Sequence, residues 1–284
     1  MSSSKVKFWN TVSAVLPKTE FGDEIYSFAK FVRVHRRLPS RGRMMFSDQI
    51  YNSKLAPEIL NPLRTYSTDK ELFKRLVKAE LGPQHCVPTL AVFRTESEVD
   101  AFEFPPSFCA KPTHMSGEVV IVKQGTPDRA QMKKWLKMSH YPKSRERNYK
   151  FLTQKVIVEP LIFDEDDISD YRIFCYNVKP RLICLDLAKY SDYKRAFFTT
   201  DWQKHNYSLG YPLYEDPIEK PECLNEMLEA ATVLSQGLYF VRVDFYTNGK
   251  EFYLGELTHA HASASQRFIP VSAEKEASEM VFGP

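Results

Sequence analysis

Arg242, Asp244 and Glu256 are the residues of this 284-residue sequence whose surroundings most clearly indicate chemistry, because they stand within an apolar and aromatic stretch, Leu238–His261. Charged groups in such surroundings must pair with one another or hold an ion. Two carboxylates on neighbouring strands are suitable ligands for a hard cation such as Mg²⁺, which also carries substrate phosphates. The stretch therefore predicts a metal site that serves phosphate chemistry.

The same stretch predicts a β-hairpin, because apolar and polar residues alternate with period two on both sides of Asn248-Gly249. A plain two-residue turn there would throw Asp244 and Glu256 onto opposite faces of the sheet. One metal ion between them requires the same face. We therefore expect a connection with an odd number of residues or a β-bulge, with Asn248 or Gly249 at positive φ. A plain two-residue turn would contradict the metal site.

A second candidate site lies in Phe108–Val122, which predicts a strand, a polar loop and another strand. Lys111 interrupts the first strand, and the loop offers Thr113, Ser116 and the backbone amides around Gly117. A lysine beside such a loop can hold the oxygens of a polyphosphate. A lysine at a strand end is also commonly a solvated edge residue.

The elements that must position these residues are helices and hairpin-like strands. Amphipathic spacing predicts helices at Glu24–Val34, Phe46–Leu60, Ser67–Leu81 (capped by Ser67 or Thr68), Asp128–Met138 and Pro221–Leu234. Apolar runs predict strands at Val87–Phe93 and Lys155–Ile162 and a second hairpin at Tyr171–Leu187, followed by a loop at Asp192–Asn206. Grouped hairpins separated by helices are typical of an α+β fold with antiparallel sheets.

Composition narrows the class of protein. The net charge of +3 gives no argument for nucleic acid, and five scattered cysteines without a C-x-x-C pair favour a reducing compartment. The sequence shows no signal pattern and no long apolar run, so we expect a soluble cytoplasmic protein. The basic segment Arg33–Arg43 is either a solvated face or a surface for an anionic partner, such as polysaccharide, phosphate or the phospholipid of a membrane. No glycine-rich nucleotide loop of the P-loop or Rossmann kind is present.

Seven charged residues, taken in chain order, resemble the site of the ATP-grasp superfamily: Lys70, Lys111, Glu159, Asp170, Arg242, Asp244 and Glu256. The sequence is most similar to the branch linked to teichuronopeptide and other cell-surface polysaccharide synthesis, the TupA-like branch. The stretches that match are YSTDKELFKRLV, FCAKPTHMSGEVVIV, RERNYKFLTQKVIVEPLI, ISDYRIFCYNVKPRLICL and the LYFVRVDFY…GELT hairpin.

The resemblance implies an α+β fold in which two antiparallel-sheet lobes clamp ATP, preceded by a helical N-terminal region. It implies three parts: a basic helical region (1–68), a central lobe with the phosphate loop (69–160) and a C-terminal lobe with the metal site (161–284). ATP and Mg²⁺ are the cofactors that this family uses.

The resemblance also implies roles in phosphate binding. Lys70 is similar to the first phosphate-binding lysine and Lys111 to the second. The segment with Thr113, Ser116 and Gly117 is similar to the mobile loop that closes over the phosphates.

Further roles are implied for the nucleoside and the metal. The strand end at Glu159 to Leu161 resembles the hinge whose backbone meets adenine, and Asp170 the acid on the ribose hydroxyls. Arg242 resembles the arginine that steadies an acyl phosphate, although Arg242 and Asp244 could also be a structural ion pair. The Mg²⁺ ligands implied are Asp244, Glu256 and Thr258, where many relatives of the superfamily carry asparagine at the last of these.

His259 and His261 follow the second predicted metal carboxylate closely. They could hold the metal ligands in place, act as a general base, or bind a transition metal; we favour the first.

The activity that the resemblance implies is an ATP-dependent carboxylate–amine ligase acting in cell-surface polysaccharide modification. An acidic sugar or polysaccharide carboxylate would become an acyl phosphate, which an amino acid or another amine would convert to an amide. The alternatives are a kinase of the same fold acting on a sugar hydroxyl, a catalytically weak nucleotide-binding module, and a glycosyltransferase of polysaccharide synthesis.

Overall fold

The computed structural model describes residues 12, 15–42, 45–163, 169–187 and 192–283. The helices are α1 (Glu20–His35), α2 (Phe46–Leu55), α3 (Pro62–Thr68), α4 (Lys70–Glu80), α5 (Glu96–Ala101), α6 (Arg129–Trp135), α7 (Tyr141–Ser144), α8 (Leu224–Leu234) and α9 (Ala273–Phe282). No helix in these ranges is both long and apolar enough to cross a membrane.

Two antiparallel sheets carry the strands. The first has the order β1-β4-β2-β3 and the second the order β11-β10-β5-β6-β7-β8, while β9 and β12 form a small third pair. The strands are β1 (Ala91–Phe93), β2 (Phe108–Pro112), β3 (Val120–Val122), β4 (Val156–Glu159), β5 (Ser169–Tyr176), β6 (Lys179–Leu187), β7 (Lys194–Phe198), β8 (Lys204–His205), β9 (Ser208–Leu209), β10 (Phe240–Thr247), β11 (Phe252–Thr258) and β12 (Phe268–Ile269). The α+β fold with two antiparallel sheets is confirmed.

The six-stranded sheet separates two cores. Val241, Val243 and Phe245 on β10 belong to one apolar cluster with residues of α4 and α8. Phe240 belongs to a second cluster with residues of α2 and α9. Because side chains alternate along a strand, Phe240 shares its face with Arg242 and Asp244. Helices therefore cover one end of that face, and the charged residues occupy the other.

Helix α4 begins at Lys70, capped by Asp69, whose carboxylate accepts hydrogen bonds from two amides of the first turn. The predicted cap at Ser67 or Thr68 is wrong. Both hydroxyls donate instead to carbonyls one turn earlier, at Leu63 and Arg64, within α3. Because these hydroxyl groups bind carbonyls of α3, the side chain of the following residue, Asp69, caps α4 instead.

The segment Asp192–Asn206, predicted to be a loop, contains strands β7 and β8. Arg195 in β7 points inward and is 3% exposed, with its Nε 2.7 Å from Asp186 Oδ1. In the sequence, a charge that is buried against a partner on the neighbouring strand looks the same as a charge on a solvated loop. Alternation alone therefore could not identify β7.

The hairpin of β10 and β11 contains the expected irregularity. Thr247 pairs with Phe252, so four residues connect the strands, and Gly249 has a φ of 93°. An even number of connecting residues would place Asp244 and Glu256 on opposite faces of the sheet. The register shifts by one residue between Asp244 and Phe245, and this β-bulge returns both carboxylates to the same face. The prediction of a bulge and of a positive φ at the turn is confirmed.

Gly255 is the extra residue of this bulge, since Asp244 pairs with Glu256 and Phe245 with Leu254. A Cβ atom on Gly255 would lie 3.1 Å from the Tyr246 ring and 3.3 Å from the Asp244 carbonyl oxygen. Glycine thus allows the tight approach that brings the two carboxylates to the same face.

Candidate active site

Asp244 and Glu256 lie directly opposite each other on adjacent strands, on the face of the six-stranded sheet that also carries Arg242. Arg242 Nε donates to Asp244 Oδ1 at 2.6 Å, and its Nη2 lies 3.7 Å from Glu256 Oε1. The hairpin register therefore assembles an arginine and two carboxylates into one cluster.

Lys70, the first residue of α4, also contacts this cluster. Its Nζ lies 3.3 Å from Glu256 Oε2 and donates to the Met115 carbonyl at 2.7 Å. Its backbone amide donates to the Thr113 carbonyl at 3.1 Å. The first predicted phosphate lysine, the polar loop after β2 and a predicted metal ligand thus meet at one place.

The two carboxylates differ in electrostatic environment. Burial alone would raise the pKa of Glu256, but Lys70, Arg242 and Arg172 outweigh it and lower that pKa to about 2. Burial also raises the pKa of Asp244, and there it outweighs the attraction of Arg242 and Arg172. The cations around Glu256 thus favour its ionised form strongly.

The donor set fits a magnesium ion. Asp244 and Glu256 offer carboxylate oxygens, and the Thr258 hydroxyl lies 3.4 Å from Glu256 Oε1. Oxygen donors of this kind suit Mg²⁺.

Among the residues that the structure describes, no group of three or more His, Cys, Asp or Glu is placed to hold a metal. The hypothesis of a transition-metal site at His259 and His261 therefore finds no support in this part of the chain.

Lys111 is buried rather than solvated. Its Nζ lies 2.6 Å from Glu159 Oε2 and 5.5 Å from the centroid of the Tyr246 ring. Burial alone would lower the pKa of Lys111, but Glu159 outweighs it and raises that pKa. Lys111 thus lies near the Tyr246 ring of the hairpin while it is bound to Glu159 of β4.

Glu159 holds two lysines with its side chain, a role that sequence reasoning did not assign. Lys74 contacts Oε1 and Lys111 contacts Oε2. The two lysines outweigh the effect of burial and lower the pKa of Glu159. Glu159 also begins the predicted adenine hinge, which ends at the half-buried Leu161; its contact with adenine stays a prediction. The acidic segment 164–167 lies outside the described residues.

Asp170 lies on β5, directly opposite Tyr246 of β10 on one side and Asp186 of β6 on the other. It is half-buried. Its proposed contact with a ribose stays a prediction.

The polar loop after β2 has a fixed base and an open tip. Thr113 is fully buried, and its hydroxyl donates to Asp69 Oδ2 at 2.7 Å. Ser116 is half-buried, whereas Gly117 is exposed at φ 77° with open space where a Cβ would lie. The Thr113 side chain therefore fixes the loop to α4, and only the tip around Gly117 is free to approach a ligand.

Two arginines near the cluster were not assigned a role from the sequence: Arg172, which is half-buried, and Arg195, which is buried. Arg172 lies with Nε 3.6 Å from Asp244 Oδ2 and also contacts Asp186, which Arg195 binds from the next strand. The signal was present in β5 and β6, where Arg172 and Asp186 are charges within apolar runs. The rule that identified Arg242 would have identified both.

His261 positions Arg242, whereas His259 serves the fold. His261 Nδ1 accepts a hydrogen bond from Arg242 Nη1, and its Nε2 donates to Gln266 Oε1 at 3.2 Å. His259 contacts Arg64 and Ser67 of α3 at 3.2 and 3.0 Å. Burial lowers the pKa of both histidines, that of His259 to about 3. Both are held as neutral imidazoles.

His140 gives a pH-dependent test of this region. Burial, assisted by Lys70 and Lys143, lowers its pKa to about 3. Below about pH 6.5 His140 binds a proton in the unfolded chain but stays neutral in the folded protein, so the free energy of unfolding falls as pH falls. We expect His140→Asn to lose about 2 kcal/mol less unfolding free energy than the wild type between pH 7 and pH 5. Urea unfolding at both values measures this, and equal losses would contradict it.

A cavity of about 1140 Å³ lies elsewhere, among the N-terminal helices, and includes Phe28, Tyr51 and Arg147 in its lining. None of the charged residues of the cluster lines it.

Part of the basic segment Arg33–Arg43 forms ion pairs within the protein, because Arg37 Nη1 lies 2.7 Å from Asp48. Arg43 lies outside the described residues.

The sequence model of the family described as TupA-like ATPgrasp matches residues 49–281. Among curated protein sequences no match is found. A D-alanine–D-alanine ligase from Bacillus anthracis is similar in structure, with a TM-score of 0.44, 18% identity, and coverage of 78% of this chain and 65% of that chain.

Two other solved structures are comparable. A D-alanine–D-alanine ligase from Helicobacter pylori has a TM-score of 0.40 and 18% identity, covering 70% of this chain and 53% of that one. The ATP-grasp ligase PsnB, complexed with a minimal precursor, has a TM-score of 0.38 and 14% identity, with coverages of 71% and 54%. The chain spans less than two thirds of the length of each of these three solved chains.

Proposed function

Because the chain belongs to the TupA-like ATP-grasp family, we propose that it is an ATP-dependent carboxylate–amine ligase that works through an acyl phosphate. One observation carries the proposal: the lysine that begins α4 contacts the hairpin cluster, with Lys70 Nζ 3.3 Å from Glu256, which lies opposite Asp244. Cations placed beside metal-binding acids are what the transfer of a phosphoryl group requires.

Charge neutralisation is the main contribution of these residues. Lys70 and Lys111 would bind phosphate oxygens of ATP, and the loop tip at Gly117 would cover them. Asp244, Glu256 and Thr258 would hold Mg²⁺, which supplies charge stabilisation to the transferring phosphoryl group. The described cluster supports the assignments of Lys70, Asp244 and Glu256, because its acids and cations are already within contact distance of each other.

Arg242 is suited to bind the anionic intermediate. Asp244 accepts from its Nε and Nη2, and His261 accepts from its Nη1, so the guanidinium is held in one orientation. These contacts engage three of its five N–H donors. The remaining donors would stabilise the acyl phosphate and the oxyanion that forms when an amine attacks it.

We propose an acidic sugar of a cell-surface polysaccharide as the carboxylate and an amino acid or another amine as the acceptor. This assignment rests on the family and on the exposed part of the basic segment, including Arg36 and Arg41, which suits an anionic chain.

The test is ligation by the full-length protein with Mg-ATP, D-glucuronate or D-galacturonate, and a mixture of amino acids. We expect ADP and phosphate in equal amounts, an amide product, and a hydroxamate when hydroxylamine replaces the amino acids. Release of AMP would contradict an acyl phosphate. A phosphorylated sugar formed without amine would identify a kinase, and intact ATP with every acceptor would indicate a binding module.

A further inference from the structure

The cavity of about 1140 Å³ among the N-terminal helices is lined mainly by side chains of α1, α2 and the single-turn helix Pro57–Leu60. Its volume slightly exceeds the range of roughly 300–1000 Å³ that is typical of sites for small molecules. Two of its lining residues, Phe28 of α1 and Tyr239 just before β10, are 44% and 53% exposed. The cavity is therefore open to solvent and large enough for a ligand of several linked units.

Aromatic rings in the cavity wall are held in place by their neighbours. The Tyr239 ring packs edge-on against Tyr176, with ring centroids 4.6 Å apart, and the two hydroxyl groups are hydrogen-bonded to each other. The Tyr51 ring packs edge-on against Phe31, with centroids 5.1 Å apart. Exposed apolar side chains at a concave surface commonly mark a ligand site. Together with Phe28, the two tyrosine rings offer flat apolar surface to a ligand.

The cavity wall also carries polar side chains that lack partners in the described part of the chain. The side chains of Glu24, Gln49 and Glu58 form no hydrogen bond or ion pair there. The same holds for Arg41, which belongs to the basic segment Arg33–Arg43. Carboxylates accept hydrogen bonds, a guanidinium donates them and an amide does both. Such a set suits a ligand rich in hydroxyl groups, because a hydroxyl group both donates and accepts.

The charges around the cavity are balanced, which disfavours small ions and lipid chains as occupants. Three acids and three arginines stand among the described lining residues: Glu20, Glu24, Glu58, Arg41, Arg64 and Arg147. Arg147 Nη1 binds Glu20, so one pair is neutralised within the wall. A balanced wall gives no strong attraction to phosphate or another small ion. An apolar lipid chain would take the remaining charged groups out of water without pairing them, which is unfavourable.

A peptide is the alternative occupant, and the wall disfavours it as well. Extended peptides bind through backbone hydrogen bonds to a strand edge, and amphipathic helices bind in a continuous apolar groove. None of the lining residues that the structure describes lies in a strand, and charged residues interrupt the apolar surface. Sugar rings suit this wall better, because their C–H faces stack on aromatic rings while their hydroxyl groups bind carboxylates and amides.

Arg64 connects the cavity with the hairpin. It lines the cavity, and its Nη1 donates to the Phe240 carbonyl at 3.1 Å and to His259 Nδ1 at 3.2 Å. Phe240 stands two residues before Arg242 on β10, which is about 7 Å at roughly 3.3 Å per residue. His259 directly follows Thr258, a predicted metal ligand. The Arg64 side chain therefore joins the cavity wall to both strands of the hairpin.

We propose that this cavity binds a segment of the acceptor polysaccharide, next to the acidic sugar that reacts. The inference rests on the proposed ligase function and adds a second binding site to it. Phe28, Tyr51 and Tyr239 stack against sugar rings, while Glu24 and Gln49 bind their hydroxyl groups. The binding energy gained there holds the chain beside the hairpin, so the protein favours a polysaccharide over a free sugar.

The test is binding of a hyaluronan hexasaccharide, in which glucuronate alternates with neutral N-acetylglucosamine, to the full-length protein without ATP. Isothermal titration calorimetry should show binding to the wild type and about 10-fold weaker binding to Phe28→Ala. Gln49→Ala removes a hydrogen-bonding group and no ring, and it should weaken binding about 5-fold. The matched control is Phe21→Ala, since Phe21 is 68% exposed on the same helix but does not line the cavity. Its affinity should equal that of the wild type.

Absence of hexasaccharide binding to the wild type would overturn the inference, and so would an affinity that Phe28→Ala and Gln49→Ala leave unchanged. Binding of the pentapeptide Tyr-Gly-Gly-Phe-Leu in place of the hexasaccharide would identify a peptide site and overturn it too. These outcomes leave the ligase function standing, because calorimetry needs no turnover. Sugar binding without ADP release from Mg-ATP, uronate and amine would contradict the ligase function instead.

Discussion

Glu256→Gln is expected to lower Mg-ATP-dependent ADP release by about 1000-fold. Glu256 lies opposite Asp244, and Lys70 of α4 contacts it. The substitution keeps the shape of the side chain while it removes the charge that both Mg²⁺ and Lys70 would use. ADP release at saturating Mg-ATP with the uronate and amino-acid mixtures measures the effect.

Glu251→Gln is the matched control, since Glu251 is an exposed acid in the connection of the same hairpin. It should retain wild-type activity. Circular dichroism of both variants separates loss of chemistry from loss of fold. Full activity in a folded Glu256→Gln variant would refute the metal site.

Glu159→Gln is expected to destabilise the protein by about 3–5 kcal/mol, the range found when one partner of a buried ion pair is removed. Glu159 is 2% exposed and is the acid that Lys74 and Lys111 share. Without its charge, both ammonium groups are left buried beside a neutral amide. Urea unfolding at pH 7 measures the change in unfolding free energy.

Two further variants make this test specific. Lys74→Met added to Glu159→Gln should recover part of the loss, because one uncompensated charge is removed. Glu96→Gln removes one partner of the exposed pair with Lys137, in the same lobe, and should change the unfolding free energy by less than about 1 kcal/mol. A loss below about 1 kcal/mol in Glu159→Gln would show that the buried lysines find other partners.

The same pair bears on ATP binding. Lys111 Nζ is 2.6 Å from Glu159, so a phosphate that recruits Lys111 must share it with that carboxylate. Lys70 Nζ contacts the Met115 carbonyl and Glu256, and Glu256 is itself a predicted metal ligand. Of the two predicted phosphate lysines, Lys70 is therefore the one already directed at the predicted metal site.

The site in the hairpin could be predicted because its information is local. Charges at Arg242, Asp244 and Glu256 break an alternating pattern, and the parity of the connection shows that a bulge is needed for both acids to share a face. The structure has that bulge at Gly255. The order of motifs along the chain indicated the family, and the match over residues 49–281 shows it.

Tertiary structure alone decided the partners of the buried charges. Periodicity places a side chain on one face of a strand or helix, but it cannot say which distant segment packs there. For this reason the sequence did not predict strand β7, in which Arg195 is buried against Asp186. It also did not predict that Lys74 contacts Glu159, or that Ser263 binds Glu146, 117 positions away in the sequence. The free energy of a buried charge depends on the partner that packing brings to it. The sequence by itself thus determined where the charges lie along the chain, and packing determined which of them meet.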